Sequence, residues 1–221
     1  SMLYTPYAYN ANRMAYQGEE SGRIEEYNFS YAANVGHFLY IGAGIGMQTL
    51  NYQLISYSGE MYDNGAIATL RNEFNTSGIG YNLRIGVIGR PISWMRVGVS
   101  FQTPTWYAMT DRYYGKIKGE YTSADDDIVE YSTPSSRSRY GFNSPLKAQA
   151  SVGFVLGKVG LINVDYLYTH NVGMKFKGTS SSDYLFAEPE FVYENEEIKN
   201  YSLSTHTLKA GAEFRVASQF S

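Results

Sequence analysis

A chain of 221 residues with 22 Gly, 22 Tyr and only 6 Pro has the composition of many strands joined by tight turns, and no linker divides it into domains. The absence of cysteine excludes a disulfide framework, a thiolate metal site and a cysteine nucleophile. A net charge of −3 and a pI near 5.7 leave no basic field for nucleic acid or for attraction to anionic lipid.

In chain order, the opening Ser1-Met2-Leu3-Tyr4 lacks a basic segment followed by an apolar core. No signal peptide is present, so the N-terminus is expected to be a processed or trimmed end. Residues 3–9 read as the upper end of a strand. The next segment, 23–35, alternates Tyr27, Phe29, Tyr31, Ala33 and Val35 with Glu26, Asn28, Ser30 and Asn34. It meets its partner, 37–55, at Val35-Gly36-His37, and there Leu39, Ile41, Ala43, Ile45 and Met47 alternate with Tyr40, Gly42, Gly44, Gly46 and Gln48. Residues 27–59 carry no formal charge, long enough for a membrane helix. Glycine at period two argues for a strand instead, because each Gly costs a helix about 1 kcal/mol relative to Ala.

Segments 76–89 and 93–109 meet at Gly89-Arg90-Pro91-Ile92. The first sets Ile79, Tyr81, Leu83, Ile85 and Val87 against Asn82, Arg84 and Gly86. The second sets Met95, Val97, Val99, Phe101 and Thr103 against Arg96, Ser100 and Gln102. Pro104 interrupts this run, and proline is usually confined to bulges, strand ends or edges. It marks either a kink that loosens the wall or the end of the ladder, and parity beyond it is open, Trp106 included. Segments 145–156 and 161–174 meet at Leu156-Gly157-Lys158-Val159-Gly160. Here Ala148, Ala150, Val152 and Phe154 oppose Lys147, Gln149 and Ser151, and Ile162, Val164, Tyr166 and Tyr168 oppose Asn163 and Asp165. A seventh segment, 204–216, sets Leu208, Ala210, Ala212, Phe214 and Val216 against Lys209, Glu213 and Arg215. Residues 217–221 read as a turn whose next strand is missing.

Short turns at one end and long polar links at the other, 57–73, 110–143 and 175–203, are the layout of an outer-membrane barrel with periplasmic turns and extracellular loops. Tyr27, Tyr81 and Tyr168 stand eight or nine residues from their turns, about 20–24 Å up a strand tilted near 40°. That is the upper edge of an apolar band about 25 Å tall, where aromatic girdles lie. Mean hydropathy is −0.33, but a barrel holds its polar half in lumen and loops. The expected fold is therefore all-β: an antiparallel transmembrane β-barrel segment over 1–221. Bacterial single-chain barrels have an even number of strands, eight or more, and open edges are not tolerated in lipid. Seven visible strands thus predict part of a larger barrel, with a closed eight-stranded barrel as the alternative.

The block Gly78-Ile79-Gly80-Tyr81-Asn82-Leu83-Arg84-Ile85-Gly86-Val87-Ile88, followed by Arg90-Pro91 and by residues 95–107 from Met95-Arg96-Val97 to Thr105-Trp106-Tyr107, resembles the FadL/TodX family of outer-membrane transporters for hydrophobic compounds. Ser144-Pro145-Leu146-Lys147-Ala148, Gly160-Leu161-Ile162-Asn163-Val164-Asp165-Tyr166 and Leu208-Lys209-Ala210-Gly211-Ala212-Glu213-Phe214-Arg215 continue it in order. The resemblance implies a 14-stranded barrel plugged by an N-terminal hatch, with substrate leaving sideways through the wall. No hatch segment precedes Ser1 in this sequence, so pocket residues of the hatch have no counterpart here.

Arg84, Arg96, Gln102 and Lys147 are the candidate ligand-binding residues, with Asp165, Lys209, Glu213 and Arg215 on the same polar face. They either hold a carboxylate head group or neutralise one another, as closely spaced opposite charges do; Arg96 and Lys147 are the pair singled out for test. The polar-face glycines Gly42, Gly44, Gly46, Gly78, Gly80, Gly86, Gly98 and Gly153 leave spare volume or mark close backbone approach. Asp125, Asp126, Asp127 and Glu188, Glu190, Glu194, Glu196, Glu197 read as solvated loop charge or as oxygen ligands for Ca²⁺. His37, His170 and His206 are isolated in sequence and suggest neither zinc nor catalysis. No cofactor and no enzymatic activity are expected, because no nucleophile and base cluster. The expected partners are outer-membrane lipid, lipopolysaccharide and a hydrophobic ligand such as a long-chain fatty acid. A structural or secretion-associated barrel that binds protein through its loops is the alternative.

Overall fold

The computed structural model describes residues 11–120, 128–178 and 191–214. Its elements are β1 (Ala11–Val35), β2 (Leu39–Tyr62), β3 (Ile67–Ile92), β4 (Met95–Gln102), β5 (Trp106–Glu120), β6 (Ile128–Ser132), β7 (Ser136–Asn143), β8 (Leu146–Leu156), β9 (Gly160–His170), a 3-10 turn (Asn171–Gly173), β10 (Lys175–Gly178), α1 (Val192–Tyr201) and β11 (Thr205–Phe214). All 11 strands belong to one sheet. β1 pairs β2, β2 pairs β3, and β3 pairs both β4 and β5; β4 pairs β8, β8 pairs β9, and β9 pairs β11. On the other side β5 pairs β6 and β7, and β7 pairs β10. The fold is thus an antiparallel all-β meander, and the charge-free stretch 27–59 is strand. Among the described residues the sheet does not close, since β1 pairs only β2 and β11 only β9. The expected strand at 3–9, together with Arg215, Val216 and the expected turn at 217–221, lies outside the described residues.

Two compact units divide the chain: Ser1–Ile24, Leu50–Gly78 and Thr110–Arg139 form one, and Glu25–Thr49, Ile79–Met109 and Tyr140–Ser221 the other. In the second unit the register sorts side chains cleanly by face. Val87, Val99, Ala150, Tyr166 and Leu208 form one continuous lateral row, and Val97, Val152, Val164 and Ala210 another. One position along, Gly98, Ser151, Asp165 and Lys209 form a row on the opposite face. Because side chains alternate along a strand, these rows define one apolar and one polar face. The apolar face is uncovered: Ile85 is 59 % exposed, Val99 56 % and Leu208 73 %. Ala66 and Met109 are the buried hydrophobics among the described residues, so a packed interior does not hold this sheet together. An apolar face of this extent on a water-soluble monomer would be an aggregation surface.

The three short turns of this unit share one end. Arg90 N donates to Phe38 O (2.6 Å), Val155 N donates to Trp94 O (2.7 Å), and Met95 stands opposite Phe154. Gly36 (φ 63°) and His37 (φ 60°) occupy the left-handed region in succession, as a two-residue hairpin turn of the primed type requires. β3 runs on through Arg90-Pro91 to Ile92, so the turn to β4 is Ser93-Trp94 rather than 89–92.

In the first unit, the described residues of the long polar links expected at 57–73 and 110–143 are largely strand. β2 continues to Tyr62 and β3 begins at Ile67, closing around Gly65 (φ 81°) with Asn64 Oδ1 accepting from Ala66 N at 3.1 Å. β5 extends to Glu120 and pairs β6 in register Lys116 to Ser132, Lys118 to Glu130. These stretches are polar on both faces and hide the period-two signal, but cross-strand pairs join them: Gln53 with Glu73 (3.4 Å), Arg71 with Tyr57 (3.2 Å) and Lys116 with Glu130 (2.7 Å). Within 175–203 the second unit has β10 and the helix α1. Asp125, Asp126, Asp127, Glu188 and Glu190 lie outside the described residues.

Candidate functional site

The site is built on the polar face of the second unit, and its floor is glycine. A concavity of about 510 Å³ lies over Gly42, Gly86, Gly98 and Gly153, with Arg96 the one charged side chain on its lining. Ser100, Gln149, Ser151 and Asn163 add hydroxyl and amide groups, and Ala32, Tyr40 and Ile88 add apolar surface. A β-carbon built on Gly42, Gly86, Gly98 or Gly153 meets no atom nearer than 3.5 Å. These glycines therefore leave room instead of marking backbone contact.

Glycines nearer the other end behave oppositely. A β-carbon on Gly46 would stand 2.7 Å from Asn82 Oδ1, and one on Gly80 would stand 2.5 Å from Tyr107 Cδ1 and 2.7 Å from Thr105 Cγ2. Asn82 is fully buried and donates to Thr105 Oγ1 at 3.2 Å. Tyr107 donates through its hydroxyl to Gln48 Oε1. The two meanings open for polar-face glycine thus both occur, at different levels of the sheet.

The register also sorts the sequence-predicted residues. Arg84 stands opposite Gln102, Gln102 opposite Lys147, and Lys147 opposite Thr169, so three of the candidates form one lateral row. Arg84 pairs with Glu26 of β1, a carboxylate not singled out as its partner. Arg96 is not in that row. It faces Gly153 and lies six positions from Gln102, about 20 Å along the strand, so Arg96 and Lys147, the two singled out for test, stand at different levels of the sheet. Asp165 stands opposite Lys209 in register, and Glu213 opposite Leu161 at the turn end.

Pro104 causes a break at 103–105, and the ladder neither ends nor is lost there. Thr103 N donates to Leu83 O (2.9 Å), Leu83 N donates to Thr103 Oγ1 (3.0 Å), and Thr105 N donates to Ser144 Oγ (2.8 Å), so hydroxyls replace missing ladder bonds. β5 resumes with its parity shifted, because Gln102 and Tyr107 share the polar face although five positions separate them. Trp106, 44 % exposed, therefore turns to the apolar face.

Sequence reasoning missed a group of rings. Tyr107 stacks on Phe142 (6.3 Å), Phe142 meets Phe176 at a tilt (4.8 Å), and Phe191 lies against both Phe176 (5.5 Å) and Tyr140 (5.5 Å). Asn195 of α1 holds the helix to this group by mimicking a neighbouring strand: its side chain accepts from Phe176 N (2.8 Å) and donates to Phe176 O (2.9 Å). Tyr140, Phe142 and Phe176 fall in stretches that sequence assigned to polar loops, and the spacing of Tyr140 and Phe142 by two was the available signal. Asn195→Leu is expected to cost about 1–3 kcal/mol locally. Limited proteolysis with mass spectrometry should then find 192–201 cut at least several-fold faster, while β8 and β9 stay protected.

The histidines join the opposite face: Tyr166 Oη lies 2.6 Å from His206 Nδ1, and Tyr168 Oη 3.0 Å from His170 Nδ1. His37 sits in the β1–β2 turn. Among the described residues no three His, Asp or Glu side chains converge as a metal site, and no helix is long and apolar enough to cross a membrane. Comparison of the chain with protein families, with curated proteins and with solved structures finds no match.

Proposed function

We propose that this chain forms part of the wall of a FadL/TodX-like outer-membrane β-barrel, about 14 strands in all, that passes hydrophobic small molecules such as long-chain fatty acids. The observation that carries the reading is the open, glycine-floored groove with one cation, Arg96, on the polar face of an all-antiparallel sheet whose other face is apolar and uncovered. Apolar walls at Ala32, Tyr40 and Ile88 suit a hydrocarbon chain, and the Arg96 guanidinium suits a carboxylate. Arg84, already paired with Glu26, serves to hold β3 against its neighbours, leaving Gln102 and Lys147 as polar contacts further along the path.

The test uses the full-length protein in liposomes with a fluorescent fatty acid. Arg96→Ala should weaken binding about tenfold, the scale of one charge-assisted hydrogen bond. Gly86→Leu with Gly98→Leu should fill the groove and abolish uptake while the fold is kept. A barrel that neither binds nor passes fatty acids, aromatic hydrocarbons or haem sinks the transport reading. The structural reading, in which exposed side chains such as Tyr201 (80 %) and Leu203 (81 %) meet a protein partner, would then replace it.

A further inference from the structure

A second cation, Lys147, stands one row beyond the far end of the glycine-floored groove. Arg96 is opposite Gly153, and six positions along β4 Gln102 is opposite Lys147, about 20 Å away. Two rows of the same face separate these levels: Ile88, Gly98 and Ser151 form one, and Gly86, Ser100 and Gln149 the other. All six residues line the groove and none is charged. Part of their polarity is already matched, since Gln149 Nε2 donates to Ser151 Oγ at 3.3 Å. The carboxylates of this face are engaged elsewhere. Glu26 pairs with Arg84. Asp165 accepts from Asn163 Nδ2 (3.2 Å) and stands opposite Lys209, two strands from Arg96. Glu213 stands opposite Leu161 at the turn end. Among the described residues neither Arg96 nor Lys147 has a carboxylate within ion-pair distance.

We infer that the groove selects an elongated molecule with a carboxylate at each end, a long-chain α,ω-dicarboxylate. The inference rests on the transport reading and narrows its ligand. Arg96 offers a planar fork and Lys147 a point charge on a flexible stem, and each suits a carboxylate. The uncharged stretch between them takes the methylenes, against Ala32, Tyr40, Ile88 and the glycine floor. A fatty acid of the same length, anchored on Arg96, would bring its terminal methyl to the Lys147 level. It would strip water there from an ammonium and an amide with nothing in return. A second carboxylate turns the same approach into a charge-assisted hydrogen bond. Two cations at one level would grip a single head group; at two levels of one groove they read the length of the chain between two.

The full-length protein in detergent micelles would be titrated with hexadecanedioate, hexadecanoate and succinate. Each ligand is compared between parent and variants, so its own partitioning into detergent cancels. Lys147→Gln is expected to weaken hexadecanedioate about tenfold and to leave hexadecanoate within about twofold, whereas Arg96→Gln weakens both about tenfold. Lys147→Arg, which keeps the charge, should retain most of the hexadecanedioate affinity. Succinate, with the same two charges on a short chain, should bind at least about tenfold more weakly than hexadecanedioate. A Lys147→Gln loss of equal size for the two long acids, or for neither, overturns the inference, while hexadecanoate binding still upholds the transport reading. Binding of neither long acid overturns the inference too, and the transport reading falls with it only if aromatic hydrocarbons and haem also fail to bind. Arg96 and Lys147 are both exposed, so circular dichroism of each variant should match the parent.

Discussion

Replacing Gly80 by Val is expected to destabilise the sheet by about 3 kcal/mol, the upper end of the usual cost of overpacking. A β-carbon there would lie 2.5 Å from the Tyr107 ring and 2.7 Å from Thr105 Cγ2. Neither neighbour moves cheaply: the Tyr107 hydroxyl is held by Gln48, and Thr105 is 2 % exposed, bonded to Asn82 and Ser144. Gly46→Val should behave alike, since its β-carbon would press on the fully buried Asn82. Gly86→Ala and Gly98→Ala have only ordinary contacts ahead of them, 3.7 Å to Ser100 Cβ and 3.5 Å to Ile88 Cγ1, and should shift stability by less than about 0.5 kcal/mol. Reversible denaturant unfolding of the lipid-refolded protein reads all four. Equal losses at the two pairs of sites would remove the distinction between packed and open glycines on which the groove rests.

Val99→Arg is expected to cost about 2–4 kcal/mol in a bilayer. Val99 lies on the apolar face between Val87 and Ala150, about five residues from the Ser93-Trp94 turn. At ~3.4 Å per residue and a tilt near 40°, this is roughly 13 Å, close to the middle of a 25 Å apolar band. Ser100→Arg, one residue on and facing the groove, should cost much less. The contrast separates membrane from water because Val99 is already 56 % exposed, so that in a water-facing sheet an arginine there would be nearly neutral. A Val99→Arg variant with the same unfolding midpoint in lipid as the parent would exclude the barrel reading.

The chain's own pattern was sufficient for the class and for the faces. Seven stretches of period-two alternation put Val97, Val99, Val152 and Val164 on one face and Arg84, Arg96, Lys147 and Asp165 on the other, and the register keeps that division. Local pattern suffices here because a pleated strand admits only two directions for a side chain. Alternation fails where both faces are polar, which is why residues 57–73 and 110–120 read as loops. The Asp63-Asn64-Gly65 turn was nonetheless a legible hairpin signal. Local order also fails across Pro104, where the shift in parity depends on Ser144, a residue 39 positions away.

What only the tertiary structure decided is which residues share a level. Arg84, Gln102 and Lys147 come from three strands and meet in one row, while Arg96, on the same strand as Gln102, is left to the groove. Register between strands is a long-range property, set by turn geometry and by the packing of one face against its neighbours, and nothing in a single segment encodes it. The same holds for glycine: Gly46 and Gly86 are alike in sequence, yet one lies beneath Asn82 and the other beneath open space. Alternation along each segment put glycine on the polar face; the side chains brought over each one determined whether it packs or leaves room.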